Sequence, residues 1–185
     1  MKRVAATERC DVVARAVAVV DAGSAADPDL AARLAEADLI HFPGGDPDLI
    51  PTLMPGSPAW TAIEAARARG AILAGASAGA MALAPWTWTP AGGIAGLGVV
   101  PGLIVVPHAD RDSWAEALER FGAWGPVELG GLGIGERTGV IAEDMAPAGG
   151  RITWQVVGPG EVFWQAVRGG PTVVARAGET ITTAA

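Results

Sequence analysis

Short apolar runs alternate with helical segments over most of the chain, and no other feature limits its possible folds as strongly. Residues 15–20 (RAVAVV) form a β-branched and alanine run closed by Asp21-Ala22-Gly23, and residues 28–37 (PDLAARLAEA) follow with Leu30, Ala31 and Leu34 at helical spacing. A second run, residues 38–42 (DLIHF), stops at Pro43-Gly44-Gly45. Residues 57–69 then read as a helix with Ser57 as N-cap and Pro58 at its first position. Residues 71–74 (AILA) and 103–106 (LIVV) are a third and fourth strand, with a helix expected over residues 113–121. Strands too apolar to have a solvated face, alternating with helices, predict an α/β fold: a mostly parallel sheet with helices on both faces. Around Thr153 the pattern changes to closely spaced runs, ITWQVV, EVFWQAV and PTVVARA, separated by Gly-Pro and Gly-Gly turns. That pattern predicts an antiparallel meander extending the sheet's edge at the C-terminal end. No repeat, low-complexity tract or linker divides residues 1–185, so a single domain is expected.

A chain of 185 residues, 50% of them hydrophobic, can bury a substantial core. Its 13 basic and 20 acidic side chains leave a net charge of −7 with the acids scattered, a field that opposes phosphate backbones, so no nucleic-acid partner is expected. Cys10 is the only cysteine, which excludes an internal disulfide and a cysteine-rich metal site. Glu8, Asp11 and Arg15 interrupt any stretch that could serve as a signal-peptide core or membrane span, so the expectation is a cytoplasmic protein without membrane contact. Core packing is the default role of the seven tryptophans. Trp86, Trp88, Trp114 and Trp124 are the candidates for lining a pocket or a homodimer surface, with Trp86 and Trp88 following the Ser77 segment closely.

The segment Gly75-Ala76-Ser77-Ala78-Gly79-Ala80 carries the chemistry. An apolar strand running straight into a glycine-bracketed serine that opens a helix forces the hydroxyl beyond the sheet's carboxyl ends, where ligands of open α/β sheets bind. Small neighbours allow close backbone approach, and the Ala78 N–H is the natural first donor to an oxyanion. A second donor is expected from Gly45, or Gly44, in the Pro43-Gly44-Gly45-Asp46 loop that ends the neighbouring strand. Each feature alone is also consistent with an ordinary tight turn, so partners are required.

A serine needs a base, and the chain has two histidines. His108 follows the run Leu103–Pro107 and so lies at a strand's carboxyl end, whereas His41 lies inside a strand and reads as a packed or edge histidine. Candidate orienting acids are Asp110, Asp112, Glu136 and Glu143. Glu136 closes the glycine-rich run Gly131-Leu132-Gly133-Ile134-Gly135, although a turn carboxylate paired with Arg137 fits the residues equally well.

In order, FPGGD (42–46), GASAGA (75–80), GLGVVPGLIVVPHADR (96–111) and GLGIGERT (131–138) resemble the peptidase E and cyanophycinase family of serine peptidases. The resemblance implies a class I glutamine-amidotransferase-like fold and a Ser-His-Glu triad in that chain order. By matching position, it implies Ser77 as nucleophile, His108 as base and Glu136 as orienting acid, with Gly45 and Ala78 as oxyanion-hole donors. Members usually begin with a further strand before the equivalent of RAVAVV, so a sheet that lacks or borrows a strand is expected. The loop also departs in carrying Asp46-Pro47 where the family often has Asn or Gln.

The expected reaction is hydrolysis of a peptide or amide substrate through an acyl-enzyme, with neither metal nor organic cofactor. Asp46 and Arg111 are candidate substrate contacts, Arg111 having a surface ion pair as its ordinary alternative. Two competing functions are a catalytically silent amidotransferase-like binding domain and a patatin-like acyl hydrolase. The second is poorly served, because Asp110, Asp112 and Asp144 precede Arg, Ser and Met where that chemistry uses Asp before Gly or Ala.

Overall fold

Side-chain caps set the first helices. The computed structural model describes residues 11–90, 92–142 and 150–184. Asp21 Oδ1 accepts from the Ser24 N–H while the Asp21 N–H donates to Ser24 Oγ, a reciprocal capping box that starts α1 (Ala22–Ala26). Asp27 caps α2 (Pro28–Ala35) by accepting from the Asp29 and Leu30 N–H groups. β1 (Leu39–Phe42) then turns Ile40 and Phe42 inward, and α3 (Leu49–Leu53) follows the glycine loop. Ser57 Oγ accepts from the Trp60 N–H at 3.0 Å to open α4 (Pro58–Ala68), which buries Ala59, Ala62, Ile63 and Ala66. β2 (Ile72–Gly75) runs parallel to β1, with Phe42 opposite Gly75, and leads into α5 (Ala78–Ala82).

β3 (Trp86–Thr89) and β4 (Gly92–Ala95) form a hairpin, and β5 (Leu103–Pro107) leads to α6 (Arg111–Trp124). β6 (Gly130–Ile134) lies parallel to β5, with Pro107 opposite Ile134. β7 (Gly139–Ile141), β8 (Arg151–Val157), β9 (Val162–Gln165), β10 (Val173–Ala175) and β11 (Thr180–Ala184) complete the order. The sheets containing them read β10-β9-β6-β5 and β11-β8-β7.

The α/β class stands, and the pairing is mixed. Among the described strands β1–β2 and β5–β6 are the two parallel pairs, and the other five are antiparallel. The C-terminal strands are not a sequential meander: β8 pairs with β7 and β11, while β9 crosses to β6 and β10. The expected strand at residues 15–20 is absent. Val17 and Val19 pack on the core, but residues 15–20 join no ladder, and among the described strands β1 is bonded to β2 alone.

One core cluster joins Ile40, Phe42, Met54 and Ile63 with Leu83 and Val99; another joins Leu103, Leu132, Ile152, Trp154, Val156 and Trp164. Val100 packs against both. The glycines of β6 make room for a third group, in which buried Trp114 stacks on Phe163 with ring centroids 5.9 Å apart. A Cβ on Gly133 would stand 2.7 Å from the Trp114 ring, so glycine there lets α6 lie close on the sheet.

Candidate active site

Three strand ends deliver Ser77, His108 and Glu136. β2 ends at the Ser77 turn, where φ is 52° and ψ −121°, a conformation that ordinary L-residues avoid. The turn is tight because Gly79 abuts the end of β1: a Cβ on Gly79 would stand 2.2 Å from the Phe42 carbonyl oxygen. A Cβ on Gly44 would stand 3.0 Å from Ser77 Cβ, so the glycine loop lies directly against the serine.

His108 follows β5 and Glu136 follows β6, so the parallel β5–β6 register brings them out on the same side. Ser77 Oγ–H donates to His108 Nε2 at 2.9 Å, and His108 Nδ1–H donates to Glu136 Oε1 at 2.6 Å. An ionised carboxylate can only accept, which assigns the ring proton to Nδ1 and leaves the Nε2 lone pair for the serine. The His108 and Glu136 side chains are 60% and 74% exposed, so both face solvent. Among the described non-glycine residues, positive φ occurs only at Ser77, His108 and Arg137: two of the three hydrogen-bonded residues and the neighbour of the third.

The neighbouring turns are also bonded together. Thr138 Oγ1–H donates to the Glu136 carbonyl at 3.0 Å and accepts from the Gly160 N–H at 2.7 Å. The Gly135 N–H donates to the Glu161 carbonyl at 3.0 Å. Asp110 is a helix cap, its Oδ1 accepting from the Ser113 and Asp112 N–H groups at 2.8 and 3.1 Å. Bonds from the Ser113 backbone and hydroxyl lower the Asp110 pKa despite desolvation.

The remaining candidates have partners of their own. Arg111 and Arg176 both donate to Glu161 Oε1, the Arg111 contact being 3.3 Å. Desolvation raises the Glu161 pKa, but the bonds from Arg176 and Arg111 outweigh it and hold the group below its ordinary value. The Asp46 carboxylate accepts from the Asp48 N–H at 3.0 Å, closing its own turn. The Ala78 and Gly45 N–H groups donate to no described protein atom, and His41 lies exposed on β1 opposite Ala74. Trp86 lies over Gly93, Trp88 is partly exposed, and Trp114 donates from Nε1 to Thr172 Oγ1 at 3.1 Å in the core. Cys10, Glu143 and Asp144 fall outside the described residues.

Sequence reasoning quoted Thr138 only as part of GERT and did not single out Glu161 or Arg176. A hydroxyl two residues after a candidate acid was the available signal for Thr138. The two arginines meet Glu161 from distant segments, which leaves no local signal. Among the described residues no group of three or more His, Cys, Asp or Glu is placed to hold a metal ion, and no helix is long and apolar enough to cross a membrane.

Comparison with known proteins bears on this arrangement. No curated protein matches the chain. Among solved structures, the chain is similar to a peptidase from an acI-B1 actinobacterium, with 27% identity and a TM-score of 0.67, covering 89% of this chain and 67% of that one. Residues 11–146 match the family described as peptidase family S51, a span that includes Ser77, His108 and Glu136. Because that match extends over well more than half of the 185 residues, the chain belongs to peptidase family S51.

Proposed function

We propose that this peptidase hydrolyses a peptide or amide bond with Ser77 as nucleophile, His108 as general base and Glu136 as orienting acid, on a single amidotransferase-like domain. The observation that carries this reading is the continuous hydrogen-bonded series Ser77–His108–Glu136, assembled from three strand ends. The parallel β1–β2 and β5–β6 pairs, each leading to a member of that series, support the amidotransferase-like arrangement.

In the first step, Ser77 Oγ attacks the scissile carbonyl carbon and its proton passes to His108 Nε2. Glu136 stabilises the resulting imidazolium through Nδ1–H and keeps the ring in that orientation. The uncommitted N–H groups of Ala78 and Gly45 supply the charge-stabilising donors for the carbonyl oxygen as it becomes negative. Collapse breaks the C–N bond, and His108 returns the proton to the departing amine. Water then enters, His108 takes its proton, and the ester to Ser77 is cleaved with the proton returning to Oγ. Arg111 at the rim is the candidate contact for a substrate carboxylate, in competition with its Glu161 pairing; the Asp46 turn is the candidate contact on the other side.

A fluorophosphonate probe tests the nucleophile. Labelling of wild type, none of Ser77→Ala, and a rate lowered roughly 10²–10⁴-fold in His108→Ala are expected. Folded wild-type protein that takes no label would favour a silent binding domain.

A further inference from the structure

Resting on the Ser77–His108–Glu136 reading, we propose that Thr138 is a positioning residue that acts on catalysis through Glu136. Glu136 is 74% exposed, so packing does little to hold its side chain toward His108. What constrains it is the backbone that carries it. Arg137 has φ of 53°, a conformation that holds only where the surroundings enforce it. The enforcing contacts converge on one hydroxyl: Thr138 Oγ1 donates to the Glu136 carbonyl at 3.0 Å and accepts from the Gly160 N–H at 2.7 Å. One side chain thereby ties the turn bearing the acid to the turn entering β9.

The fit is close. A Cβ on Gly160 would stand 2.4 Å from Thr138 Oγ1 and 3.1 Å from the Glu136 carbonyl oxygen. A Cβ on Gly158 would stand 2.2 Å from the Arg137 carbonyl oxygen. Both flanking glycines therefore let the second turn approach the backbone on either side of the hydroxyl. Losing the hydroxyl frees the Glu136 carbonyl and the Gly160 N–H together, and Arg137 relaxes toward negative φ. Because the Nδ1–H to Oε1 contact is 2.6 Å, a shift of about 1 Å in that turn breaks it.

The experiment measures fluorophosphonate labelling rates of wild type, Thr138→Val, Thr138→Ser, Glu136→Ala and the Glu136→Ala/Thr138→Val double variant, with proton NMR of the hydrogen-bonded His108 ring N–H. Thr138→Val is expected to label roughly 10–100-fold more slowly and to lose the ring-proton signal. Thr138→Ser, which keeps the hydroxyl, restores both. The double variant labels no more slowly than Glu136→Ala alone, because the hydroxyl has nothing left to position. A wild-type rate in Thr138→Val, or a further slowing in the Glu136→Ala background, overturns the role. If Thr138→Val does not fold, Thr138→Ala is read in the same way. Labelling that survives Ser77→Ala overturns the nucleophile assignment instead; the ring proton then decides for Thr138, since its persistence in Thr138→Val overturns the positioning role.

Discussion

Ser77 is held at φ of 52° and ψ of −121° without a glycine's freedom. For an L-residue so sparsely populated a conformation costs about 1–3 kcal/mol. The local cause is visible in its neighbours: Gly79 presses against the Phe42 carbonyl, and the turn cannot open without separating α5 from the end of β1. Ser77→Gly should therefore be more stable than Ser77→Ala by about 1 kcal/mol, the relief of strain being partly offset by the greater entropy of glycine in the unfolded chain. Urea unfolding of the two variants measures the difference, and equal midpoints would show that the strain is no larger than the entropy difference of about 0.5–1 kcal/mol between glycine and alanine. At this scale the sequence was informative where residue types are scarce. With two histidines in the chain, asking which one ends a strand singles out His108, and His108 is the one hydrogen-bonded to Ser77. Arg111 was harder to read, because its partner Glu161 lies 50 residues away and no local pattern links them.

Elements were legible where a side chain writes their boundary. Ser57 before Pro58 marked the start of α4, and the structure starts the helix there. The run RAVAVV has a strand's composition, yet strand formation depends on a partner as much as on propensity, and no described strand accepts it. The β3–β4 hairpin was missed although Trp86, Thr87, Trp88 and Thr89 alternate outward and inward, a period-two signal shortened by the nearby Pro90. The Asp110 cap offers a test at this level, since it secures the helix that follows His108. Its folded pKa is lowered below the ordinary 3.8, so the ionised cap stabilises the protein above that pH. The contribution fades as pH falls from 3.8 through the lower folded value. Asp110→Asn keeps an acceptor but does not titrate. Wild type should thus melt higher than Asp110→Asn at neutral pH, and the gap should close under acid; a gap that persists unchanged in strong acid would assign the difference to something other than the charge.

At the scale of the whole molecule, the site depends on two cores staying in register. Ser77 belongs to the side built on Ile40, Phe42 and Ile63, while His108 and Glu136 follow strands whose Leu103 and Leu132 lie in the other core. A 2.9 Å contact between Ser77 and His108 spans that division. Three features join the halves: Leu83 enters one cluster, Ala84 enters the other, and Val100 packs against both. Adjacent residues on opposite cores leave little chain in which the halves could move independently, which argues for one cooperative unit. That division was not legible in the sequence, where apolar runs show what is buried but not which runs are buried together. Ile63→Ala and Leu132→Ala each remove a fully buried side chain and should each cost about 2–5 kcal/mol. If the halves unfold together, either substitution shifts the entire transition. Tryptophan fluorescence can decide this, because Trp154 and Trp164 lie in the cluster that Ile63 does not enter, while Trp60 packs against the one that it does. Ile63→Ala should move the fluorescence midpoint in urea as far as it moves the far-UV circular dichroism midpoint. A dichroism transition that moves while the fluorescence transition stays in place would mean that Ser77 and His108 sit on separately unfolding bodies.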